Sequence, residues 1–72
     1  MDRLDRKKFN DLVSRKNKAD AWFAREDVSE EEKDKYMSIY QAILYEMNDM
    51  VERFRAEGVQ VTVNTMDNGF DP

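Results

Sequence analysis

Catalysis needs a nucleophile, an acid or base tuned to neutral pH, or a metal, and this sequence offers little of each. Histidine and cysteine are both absent from its 72 residues. That removes the commonest general base, the strongest side-chain nucleophile and every zinc site built from Cys and His. Ser14, Ser29 and Ser38 therefore have no imidazole to activate them. Glu46, Asp49 and Glu52 could in principle form an acid–base pair, but their spacing places them on the polar side of a helix, as a solvated face would be. Gly58 and Gly69 are the only glycines, so no glycine-rich loop exists to cradle a phosphate. The run "DVSEEEKDKYMS" begins like a calcium loop with Asp27 and Ser29. It lacks the glycine required at the sixth position and the glutamate required at the twelfth. A chain this short also has little room for a water-excluding pocket. The expectation is a protein that is not an enzyme and that carries no cofactor and no metal.

Residues suited to binding are more plentiful. Trp22, Phe23 and Arg25 lie together in "ADAWFARED", and buried aromatics with a nearby arginine are the commonest anchors of protein interfaces. A basic set, Arg3, Arg6, Lys7, Lys8, Arg15, Lys16 and Lys18, could touch phosphates. Asp2, Asp5, Asp11 and Asp20 are interleaved with it, and Phe9 alone does not make a stacking platform for bases. The net charge is −4, unevenly placed. Residues 1–25 hold eight basic and four acidic side chains, and the remainder holds four basic and twelve acidic ones. Such opposed halves suit two segments that pack on each other. An acidic face, Glu31, Asp34, Glu46, Asp49 and Glu52, is broken by Lys33, Lys35, Arg53 and Arg55, which weakens any reading of it as a phosphate mimic.

These residues must be held by a few elements. From about residue 5 to 25 the apolar positions Phe9, Leu12, Val13, Ala19 and Phe23 share one helical face, with the Lys16 stem bridging its gap. Ser29 followed by Glu32 is a capping-box spacing. With the acidic first turn Glu30–Glu32 facing the positive end of the helix dipole, it predicts a second helix from 30 to about 57. Gly58 is its natural terminator. Along this helix Tyr36, Tyr40, Ile43, Met47, Met50 and Phe54 alternate steps of four and three, a heptad seam, and Met37, Leu44 and Val51 run beside it. The stripe is broader than the first helix can cover, which predicts self-association through it.

The tail reads differently. Val59, Val61 and Val63 alternate with polar residues, the period of a β-strand over about 59–65. Asn68-Gly69 is a turn pair, yet too few residues follow it for a return strand. A strand there would have to pair with another chain, and residues 66–72 would form a flexible tail.

The sequence as a whole predicts one small, mainly α domain over 1–72: a helical hairpin with a short C-terminal β-like segment, completed by dimerisation. Tyr36, Tyr40, Ile43, Leu44, Met47, Met50, Val51, Phe54, Val59, Val61 and Val63 are the expected self-association residues. No apolar run is long enough to span a membrane, and the basic opening lacks the apolar stretch of a signal peptide. The expected protein is an acidic cytoplasmic regulator or inhibitor that occludes a partner protein. A nucleic-acid-binding accessory protein and an oligomeric structural component are the alternatives.

Overall fold

A computed structural model describes residues 2–70. The chain is mainly helical: α1 spans Arg3–Phe23, α2 spans Glu30–Ala56 and α3 spans Val63–Asn68. The two long helices pack as a hairpin, and α3 lies against α1. Both long helices start where a side chain caps them. Asp2 accepts a hydrogen bond from the Leu4 N–H at 3.0 Å, which brings the start of α1 forward of Asp5. Ser29 accepts from the Glu32 N–H at 3.2 Å, so the acceptor half of the expected box is present. Val28 is half-buried at this entry, and the Lys33 side chain is largely covered.

The core sits where the start of α1 meets the end of α2. Phe9, Leu12 and Val13 pack against Met47, Met50, Val51 and Phe54, and Val61 closes over them from the C-terminal segment. Phe9, Phe54 and Phe70 form a cluster of three rings with centroids 5.4–5.7 Å apart, meeting tilted or edge to face as ring quadrupoles prefer.

The C-terminal segment corrects the sequence reading most. No strand forms among the described residues. After α2 the chain turns through Gly58, whose φ of +84° is left-handed. The Val59 N–H then reaches back to the Phe54 carbonyl at 2.8 Å and the Gly58 N–H to the Arg55 carbonyl at 3.0 Å. This pair of bonds is a Schellman motif, which satisfies helix-end carbonyls and folds the following residue onto the helix. Val59 and Val61 are thereby directed into the core as extended coil. Part of the ladder's work is done by a side chain: Arg55 donates to the Val61 carbonyl at 3.3 Å. Val63 is 75% exposed because it opens α3 rather than continuing a strand. Thr62 caps α3, and its side chain and that of Thr65 each accept from the other's backbone N–H. Gly69, with φ +83°, ends the helix, so Asn68-Gly69 is a helix stop and not a hairpin turn.

Residues 66–70 are not a loose tail. Met66 and Phe70 pack on the core, and the Asn10 side chain holds the Phe70 backbone twice, donating to its carbonyl at 3.0 Å and accepting from its N–H at 2.7 Å. Residues 71 and 72 lie outside the described residues. The dimer inferred from an oversized stripe is likewise not required at this end of the molecule, because the chain's own C-terminal segment covers it.

Candidate protein-binding face

Coverage of the α2 stripe changes along its length. Phe54, Met50 and Met47 are buried, Ile43 and Tyr40 are half-buried, and Tyr36 is 46% exposed. The parallel row behaves alike: Val51 is buried, Leu44 half-buried and Met37 exposed. The physical reason is that α1 flanks the whole stripe, whereas residues 59–70 add a third layer only at the far end. At the turn end two helices face each other with nothing across their shared groove.

This groove is built from the last turns of α1 and the first half of α2. Ala19, Trp22 and Phe23 come from α1, and Glu32, Tyr36, Ile39, Tyr40 and Ile43 from α2. The Trp22 ring stands edge-on to Phe23 (4.9 Å) and to Tyr36 (5.4 Å), and Phe23 stands edge-on to Tyr40 (5.3 Å). Trp22 therefore braces the hairpin end, and it remains only half-buried. Ile39 is 59% exposed on the groove's open side. The cleft measures about 460 Å³, large enough to receive a bulky side chain. Glu32 is the one carboxylate in its lining, so it lacks the convergent acid, base and orienting groups that chemistry needs.

The polar groups around the groove are engaged with one another. The Tyr40 hydroxyl donates to Asp20, and Lys16 bridges the same carboxylate at 3.4 Å. The hydrogen bond to Asp20 holds the Tyr40 phenol above its ordinary pKa, with partial burial and the Asp20 charge acting in the same direction. Arg25 forms a fork with Asp27, with contacts of 2.9 and 2.5 Å. That hydrogen bond raises the guanidinium pKa and lowers that of Asp27. Arg25 is thus engaged by Asp27 in the turn, and it is not among the residues that line the groove.

The sequence-derived sets divide as follows. Trp22 and Phe23 come together as expected. Among the self-association residues, Tyr36, Tyr40, Ile43 and Leu44 keep some exposure, whereas Met47, Met50, Val51, Phe54 and Val61 are buried within one chain and have no surface to offer. Val59 is half-buried against the core and Val63 projects from α3, so neither is part of a pairing strand. Of the basic set, Lys8 pairs with Glu46 at 3.1 Å and Arg15 with Asp11 at 3.1 Å. Lys16 sits between Asp20 and Asp67. Arg3, Arg6, Lys7 and Lys18 are exposed and make no ion pair among the described residues. Opposition between the charged halves is partly realised in Lys8–Glu46 and Lys16–Asp67, whereas Arg53–Asp5 at 3.9 Å joins the two halves with the signs reversed.

Sequence reasoning passed over two features. Ile39 lies outside the heptad seam and the row beside it, yet it lines the groove. The Asn10 clasp on Phe70 spans sixty residues, and no local pattern announces such a contact. Among the described residues no cluster of acidic side chains could hold a metal ion, and no helix is long and apolar enough to cross a membrane. No protein-family model matches the chain, and no curated protein or solved structure is found to be similar to it.

Proposed function

We propose that this chain is a non-enzymatic protein-binding module, working in the cytoplasm as a regulator or inhibitor by covering a site on another protein. The observation that carries the reading is the exposed apolar groove at the turn end, with Trp22, Tyr36, Ile39 and Ile43 left without a covering layer. Apolar side chains gathered in one place mark interaction surfaces far more often than apolar residues scattered singly. A half-buried tryptophan beside a cleft is the type of anchor that dominates binding energy. An aliphatic or aromatic side chain of the partner would enter between Trp22 and Ile39, and the rigid hairpin would screen what surrounds it. Self-association, if it occurs through the rigid hairpin, uses this same half of the stripe. The ion pairs on Lys8, Arg15 and Lys16 count against nucleic acid as the ligand.

The reading is tested by comparing what the chain captures from a lysate of its own source cell with what two variants capture. Ile39→Asp puts a charge in the groove at an exposed position and should abolish capture while leaving the fold intact. Lys7→Glu with Lys18→Glu reverses the exposed basic ridge and should leave capture unchanged. Loss with the second variant only, together with sensitivity to nuclease and a steep decline with salt, would move the function to nucleic acid.

A further inference from the structure

The closed end of the molecule depends on a C-terminal segment laid over the two-helix hairpin. Residues 59–70 are held by the Phe70 ring against Phe9 and Phe54, by Val59, Val61 and Met66 on the core, by Arg55 on the Val61 carbonyl and Lys16 on Asp67, and by two asparagines. Asn10 holds the Phe70 backbone, and Asn17 donates to the Asp67 carbonyl at 2.9 Å. Helix α3 touches α1 and makes no comparable contact with α2. At six residues it is far below the length at which a helix persists alone in water, so away from its seat it would unwind. The segment is joined to α2 through Gly58, and no atom lies within 4 Å of where a Cβ would stand there. That is a hinge with open space around it.

Lifting the segment would expose Phe9 and Phe54, which are otherwise fully buried, so the open state is not a resting state in water. What fits the vacated seat is already known from the fold: residues 59–70 themselves. A second copy carries the same segment. We propose that residues 59–70 are an exchangeable strap, and that two copies of the chain form a dimer by seating each strap on the other's α1–α2 face. The strap contacts beyond the hinge are regained in such a dimer, while the Schellman bonds around Gly58 are given up as the path there changes. That makes exchange a low-cost route to association, favoured by mass action as concentration rises. Opening of the segment on warming gives the kinetic route. The exchanged dimer carries two turn-end grooves on one particle.

The absence of cysteine makes the test clean. Asn17 and Asp67 are both exposed and meet across the strap contact. One chain carries Asn17→Cys and another carries Asp67→Cys. The two are mixed at rising concentration, warmed close to the melting midpoint, cooled and treated with a short bismaleimide. A chain carrying both substitutions should crosslink within itself, reporting the seated strap. The mixture should give a covalent heterodimer whose yield rises with concentration, while Ser38→Cys, on α2 away from the strap, mixed with Asp67→Cys gives none. Internal crosslinking without any concentration-dependent heterodimer would overturn exchange. Failure of the double variant to crosslink internally would overturn the seat itself.

Discussion

At the residue scale, the fold depends on a contact between the Asn10 side chain and the Phe70 backbone, sixty residues apart in sequence. Asn10 serves Phe70 as a neighbouring strand would, with its amide supplying one donor and one acceptor to the backbone. This works only because Gly69 lets the chain approach. A Cβ at Gly69 would stand 2.6 Å from Asn10 Oδ1, whereas one at Gly58 meets nothing. Both glycines have positive φ, which costs an ordinary residue about 1–2 kcal/mol in the left-handed helical region, and Gly69, with ψ 179°, lies in a region that is essentially glycine's alone. Gly58→Ala should therefore lose about that much in thermal or urea unfolding, and Gly69→Ala should lose clearly more, because the clash adds to the strain. In an Asn10→Ala background the loss at Gly69→Ala should shrink, because the clash with the Asn10 amide is gone and only the backbone strain remains. The Tyr40–Asp20 hydrogen bond gives a pH prediction. The phenol's pKa is raised in the fold, so its stabilisation is complete below the ordinary tyrosine value near 10 and is lost as pH rises through the higher folded value. Melting temperature measured upward from pH 9 should fall more in the native chain than in Tyr40→Phe.

At the scale of elements, the helices were legible because their signals are local. Ser29, the acidic turn after it and Gly58 mark the ends of α2, and the heptad spacing marks its buried side. Ser29→Ala should cost about 0.5–2 kcal/mol through loss of the cap, read as a lowered unfolding midpoint with an unchanged denaturant slope. The tail was misread because a two-residue period marks alternation of faces, and extended coil laid on a core alternates as a strand does. The decisive features were Val59, drawn inward by the Schellman bonds, and Thr62 with Thr65, which start a helix where the valine pattern suggests continuation. Nor could the width of the α2 stripe reveal what covers it, because Phe70 reaches the stripe through a contact set by tertiary packing alone. Phe70→Ala should destabilise the chain by roughly 3 kcal/mol, the lower end of the range for such truncations. That is a large share of the stability of a domain this small. Circular dichroism through a melt would show it, and an unchanged melt would make the segment a bystander.

At the scale of the whole molecule, the chain is an elongated body, 42 Å by 20 Å by 19 Å, with two unlike ends. One end is closed by its own C-terminal segment. The other leaves aromatic and aliphatic side chains around an open groove, and opposite charges pair along the flanks between. The proposed binding role is tied to this groove, which takes in Trp22 and Phe23 of the expected partner-binding set and Tyr36, Tyr40 and Ile43 of the expected self-association seam, while the expected tail strand has no part in it. Trp22 is the only tryptophan, and it lines the groove. Replaced biosynthetically by 5-fluorotryptophan, it would give a single fluorine resonance, free of any signal from the bound protein. On titration with a protein captured by the chain, that resonance should shift and lose its accessibility to a soluble paramagnetic quencher, with saturation at the binding stoichiometry. A resonance that stays in place and stays accessible while the complex forms would contradict the assignment of the groove as the binding face.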